Sequence, residues 1–231
     1  MSRALVASVA AALLVAPAAH ASTESKGTVE IARLIITSPV RARPGGGKLL
    51  GKLAAIRPLT SQQTSVPVSG HARDSKGNEW LRVPMPGRPL GRSGWIPAAN
   101  GTIVRSHWRI VIDRKKRVAT LYRDKLVKRR FEVVVGKTTT PTPKGHFFLE
   151  EKVRQASSSV LGPWALATSA FSTVLQEFGG SPGQVALHGR AGELLNDPLG
   201  TAASHGCIRF ENRVIRELAA LLPNGTPIDI R

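Results

Sequence analysis

Residues 187–209 read LHGRAGELLNDPLGTAASHGCIR. Two histidines, His188 and His205, and the chain's single cysteine, Cys207, all fall in this stretch. The apolar run Val185-Ala186-Leu187 is short and reads as a buried strand ending at His188. A loop of 15 residues, punctuated by Gly, Pro and Asn, then leads to Ser204. Gly206 lets the backbone beside Cys207 come close to a ligand. Beyond it, Glu211–Leu222 is the clear helix of the chain, with Val214, Leu218 and Leu221/Leu222 on one face. Pro223-Asn224-Gly225 stops it.

A lone cysteine has no disulfide partner within its chain, so it is either buried and inert or a reactive thiol. Here it lies just before a helix, whose N-terminus favours thiolate. An ordinary thiol, with a pKa of about 8.5, is only a few per cent ionised at neutral pH, so a neighbouring imidazole base matters. His188, on a rigid strand end, is suited to that part, and His205 to fixing the loop. No carboxylate partner is evident for the imidazole; a backbone carbonyl can orient it instead.

Outward from this stretch the chain is mainly β. Trp108–Ile112, Val118–Tyr122 and Phe131–Val135 alternate like a three-stranded meander with turns at Asp113–Lys116 and Arg123–Lys125. Pro141, Pro143 and Gly145 force an extended entry into a strand at His146–Leu149, and Pro227–Ile230 is a last short strand. From Ile31 to Ile103, short apolar segments are cut by Pro and Gly with no lasting helical period, as in a small β-barrel. Residues 22–30 are polar and read as a flexible leader.

Met1–Ala21 carries Arg3, an Ala/Leu/Val run from Ala4 to Ala16, Pro17 and an Ala19-His20-Ala21 cleavage pattern. It reads as an export signal, too short to span a bilayer. The mature chain is therefore expected outside the cytoplasm, in the cell envelope. Lys and Arg number 33 against 15 Asp and Glu, a net charge of +18 in 231 residues. Aromatics are only 5%, and the basic residues are dispersed without a nucleic-acid motif, which argues against a nucleic-acid partner. Outside a cell this charge meets anionic wall polymer and lipid headgroups, or it simply confers solubility. Gly136-Lys137-Thr138 is not the end of a phosphate loop, because Phe131 stands where that loop needs glycine.

His188-Gly189, a 15-residue spacer and Ser204-His205-Gly206-Cys207-Ile208-Arg209 resemble the signature of the L,D-transpeptidase catalytic (YkuD-type) domain. Ile110–Asp113, Val135-Gly136 with Thr142–Gly145, and Leu161–Leu166 resemble further stretches of that family in order. The likeness spans residues 106–231. Val40–Gly45, Glu79–Val83 and Gly94–Pro97 make residues 31–103 similar to a bacterial SH3-like domain. The resemblances imply an SH3-like β-barrel followed by a β-sandwich with one C-terminal helix.

By the same resemblance Cys207 is the nucleophile, His188 the general base and acid, and the Gly189 carbonyl the group that orients it. Backbone around His205, Gly206 and Cys207 forms an oxyanion hole. Ser204 and Arg209 border the substrate, with Arg209 placed to meet a stem carboxylate. Peptidoglycan stem peptides are the implied donor and acceptor, 3→3 cross-links the product and carbapenem-type β-lactams the inhibitors. No metal or organic cofactor is required. With water as acceptor, the same site is an L,D-carboxypeptidase. Two rival readings are a zinc hydrolase using His188, His205 and Cys207, and a non-catalytic wall-binding protein that works through residues 31–103.

Overall fold

Eight strands fill the N-terminal part of the computed structural model, which describes residues 27–231 except 179 and 181. The expected export signal lies outside the described residues. The strands are β1 (Val29–Leu34), β2 (Ser38–Arg43), β3 (Gly46–Leu53), β4 (Ser65–Pro67), β5 (Gly70–Arg73), β6 (Glu79–Pro84), β7 (Ser93–Pro97) and β8 (Gly101–Ser106). They form a three-stranded sheet, β4-β1-β8, and a five-stranded sheet, β3-β2-β7-β6-β5. Leu34, Val40, Val66, Leu81, Val83 and Ile96 join in one apolar cluster. The leader is shorter than expected. Val29 and Glu30 already belong to β1, paired with Ser106 and Arg105 of β8, and Glu30 accepts His71 Nε2 at 2.7 Å.

The C-terminal part contains β9 (Trp108–Asp113), β10 (Val118–Arg123), β11 (Leu126–Glu132), β12 (Val135–Gly136), β13 (Gly145–Arg154), β14 (Trp164–Phe171), β15 (Gln184–His188), β16 (Ala202–Ser204), β17 (Ile208–Arg209), α1 (Asn212–Leu221) and β18 (Pro227–Ile230). Eight of these strands make one sheet, in the order β11-β10-β9-β18-β13-β14-β15-β17. The mainly β architecture with one helix is as expected, and it is built on one curled sheet. Its corner is β13, whose first residues pair with β18 and whose later ones pair with β14 across a register shift at Leu149/Glu151. An irregularity of that kind bends a strand. The meander is present, but its third strand starts at Leu126, straight after the turn, and Val135 leaves it to pair in parallel with Ala202.

Helix α1 covers the core face of the sheet with Val214, Ile215, Leu218 and Ala219. Leu221, expected on that face, ends the helix and is 38% exposed. Phe131, Leu166, Val185, Leu187, Ile208 and Phe210 fill the same core, so strands β15 and β17 are anchored from below. Any polar residues they carry must point to the opposite face.

Candidate active site

Leu187 and Ile208 pair across the parallel strands β15 and β17, and His188 pairs with Arg209. Leu187 and Ile208 face the core; by alternation Ala186, His188 and Arg209 share the other face. One residue back along β17, the same register sets Cys207 beside Ala186, whose backbone hydrogen-bonds the thiol. His188 and Cys207 are therefore diagonal neighbours on one face of two anchored strands.

The imidazole is 3% exposed, and its Nδ1 lies 2.7 Å from the Gly189 carbonyl oxygen. A carbonyl only accepts, so Nδ1 carries the proton of the neutral ring and Nε2 keeps the lone pair. Burial pushes the His188 pKa down to about 4, with the Arg209 charge helping and the Gly189 and Leu161 carbonyls opposing. Burial also pushes the Cys207 thiol up, against the Ala186 hydrogen bond and the Arg209 charge. Both shifts favour the uncharged forms of the two side chains. This differs from the thiolate bias expected from a helix N-terminus: β17 and Phe210 separate Cys207 from α1, and desolvation outweighs the remaining influences.

The turn before Cys207 is held from several sides. Ser204 Oγ accepts the Gly206 N–H at 3.1 Å and donates to the Cys207 carbonyl at 2.6 Å. Thr142 Oγ1 accepts the Gly136 N–H at 2.8 Å and donates to the Gly206 carbonyl at 2.8 Å. Thr140 Oγ1 and the Lys137 N–H both donate to the Ser204 carbonyl. Gly206 has φ +123°, a backbone conformation that side chains with a Cβ rarely adopt. His205 is exposed, and its ring stacks on Phe178 with centroids 4.9 Å apart. It therefore does not turn inward beside His188 as a shared metal ligand would. Arg209 is 6% exposed and ion-paired with Asp197.

Sequence reasoning brings His188, Gly189, Ser204, Gly206, Cys207 and Arg209 to one place. It missed Thr140, Thr142, Asp197 and Asn212. Thr142 stood in a quoted motif, though nothing in the local sequence shows that its hydroxyl bridges Gly136 and Gly206. Asn212 packs so close to Gly162 and Gly189 that a Cβ on either would meet its Oδ1 at 2.4 or 2.2 Å.

The chain belongs to the YkuD family, the L,D-transpeptidase catalytic domain, whose sequence profile matches residues 107–230. The YkuD protein of Bacillus licheniformis is 36% identical over 126 residues, and that of Bacillus subtilis 30% over 125. Each match covers 53% of this chain and 65% of the relative, so the chain spans just under two thirds of those relatives. L,D-transpeptidase 3 from Mycobacterium tuberculosis, solved with a faropenem-derived adduct, is 15% identical. It aligns over 86% of this chain and 98% of its own, with a TM-score of 0.46.

Proposed function

We propose that this protein is an exported L,D-transpeptidase of peptidoglycan, with Cys207 as nucleophile and His188 as general base and acid. The observation that supports the reading is the register that sets His188, at the end of β15, diagonal to Cys207, just before β17, with His188 Nδ1 2.7 Å from the Gly189 carbonyl oxygen; on this reading Nε2 takes the thiol proton. Nε2 accepts the Sγ proton as Sγ bonds to the carbonyl carbon of the third stem residue. The tetrahedral oxyanion collapses, the peptide bond breaks, and His188 returns the proton to the departing D-amino acid. A thioester remains. The side-chain amine of a second stem then attacks it, passes a proton through His188 to sulfur, and forms the 3→3 link. Water in place of the amine gives the carboxypeptidase outcome.

Because the Gly206 N–H is already given to Ser204 Oγ, the proposed oxyanion hole rests on the His205 and Cys207 N–H groups. One such donor is worth about 2.7–4 kcal/mol. The ion pair between Arg209 and Asp197 suits Arg209 to shaping the field at the site; contact with a stem carboxylate would require Asp197 to yield. The two small sheets of residues 29–106 support reading them as the SH3-like domain. The net charge of +18 supports attraction to anionic wall polymer, and the export-signal pattern of Met1–Ala21 supports an extracytoplasmic location. Carbapenem-type β-lactams are the proposed acylating inhibitors of Cys207.

The test is incubation of the full chain with a disaccharide-tetrapeptide, followed by mass spectrometry. Dimers that have lost one terminal D-amino acid are expected. Tripeptide without dimer would assign the carboxypeptidase, and unchanged substrate would refute both.

A further inference from the structure

The β6–β7 connection belongs to the N-terminal part, yet it reaches into the catalytic one. Leu90 packs against the C-terminal core. Half-buried Arg88 goes further: its Nε and Nη2 donate to the Ser172 carbonyl at 3.2 and 2.9 Å, Nη2 also to Leu175 at 2.8 Å, and Nη1 to Pro182 at 2.9 Å. The guanidinium lies over the Phe171 ring, 5.2 Å from its centroid. One planar cation thus gathers carbonyls from both sides of the segment that follows β14, a task for which its rigid fork is suited. The Ser172 N–H adds a 2.8 Å bond to the Gly183 carbonyl, and Ser172 Oγ accepts the Leu175 N–H at 2.9 Å. From this base the chain carries Phe178 to His205, where the rings stack at 26°. His205 stands two residues before Cys207.

We propose that Arg88 is a positioning residue through which the N-terminal part sets the active-site turn: it fixes the base of residues 172–178, so that Phe178 holds His205 and the turn leading to Cys207. On this view the N-terminal part is a working wall of the site. The inference rests on Cys207 being the acylated group, and it goes beyond that reading by giving residues 29–106 a part in it. Phe178 is 52% exposed and its ring stacks on His205, so the stack is the ring contact through which this segment meets the turn. Loosening the base is expected to release it.

The test uses the full chain with Arg88→Met, Arg88→Lys, Phe178→Ala and the Arg88→Met/Phe178→Ala double variant. Amide hydrogen exchange followed by mass spectrometry needs no activity. Arg88→Met is expected to speed exchange both at 172–178 and at 204–207, whereas faster exchange confined to 85–92 would overturn the proposal. Arg88→Lys keeps the charge and the fold but cannot span three carbonyls, so it should show the same pattern if the Met variant does not fold. Rates of carbapenem acylation give the second readout. Each single variant should fall about tenfold and the double variant no further, because both act through one contact. Multiplying losses, or unchanged rates, would overturn the proposal. A wild type that takes no carbapenem would refute the reading of Cys207 and leave the exchange result to decide on Arg88.

Discussion

Asn212 and Arg190 exchange two hydrogen bonds: the Arg190 N–H donates to Asn212 Oδ1 at 2.8 Å, and Asn212 Nδ2 donates to the Arg190 carbonyl at 2.9 Å. The Arg190 N–H and the Gly189 carbonyl are two ends of one peptide unit, and that carbonyl receives His188 Nδ1. The first residue of α1 therefore holds the peptide plane that aims the imidazole. Asn212→Ala should lower carbapenem acylation about tenfold to a hundredfold through misplacement of the base, with iodoacetamide alkylation of Cys207 less affected. Equal losses in both reactions would argue for general loosening instead.

A His188 pKa of about 4 predicts that acylation needs no deprotonation step near neutrality. The rate should stay level from about pH 8 down to about pH 5 and fall only toward pH 4, as the imidazole gains its proton. Stopped-flow loss of carbapenem absorbance across that range measures it. An acid limb centred on pH 6 to 7 would place the histidine in water rather than in this site.

Glu150 and His188 oppose each other in the pH dependence of stability. Burial raises Glu150 from 4.5 to about 7, against the pull of Arg57. The folded chain then holds a proton that the unfolded chain has lost, and stability falls with rising pH over that window. His188 is lowered from 6.5 to about 4, so its contribution rises with pH between those values. Between pH 4.5 and 6.5 the two slopes, each about 1.4 kcal/mol per pH unit, cancel. Glu150→Gln should expose the histidine's rise in denaturant unfolding, whereas a profile parallel to the wild type would contradict the shift at Glu150.

Thr142→Val keeps shape but strands the Gly136 N–H and the Gly206 carbonyl. Each buried group left unpaired costs about 1–3 kcal/mol. Lower stability is expected together with slower acylation, since the turn before Cys207 loses its brace. A Val variant with wild-type acylation would show that the Ser204 and Thr140 contacts suffice.

The legible part of this protein is the part written locally. Val185–Leu187 and Val214–Leu218 announce their strand and helix by period, and His188, Ser204 and Cys207 stand in one short signature. What escaped depends on contacts between distant residues. The curl at β13 comes from a register shift that no alternation pattern records. Asn212 and Thr142 act through backbone groups 22 and 64 residues away, and Arg88 through carbonyls 84 to 94 residues away. The upward shift of the thiol depends on burial in the folded chain, which the order of residues around Cys207 does not record.

The most direct test is intact mass spectrometry of the full chain after incubation with meropenem, with Cys207→Ala and His188→Ala beside it. One covalent adduct on the wild type, none on Cys207→Ala and a rate lowered at least a hundredfold in His188→Ala are the predicted results. A wild type that stays unmodified while its thiol is shown to be reduced would contradict Cys207 as an activated nucleophile.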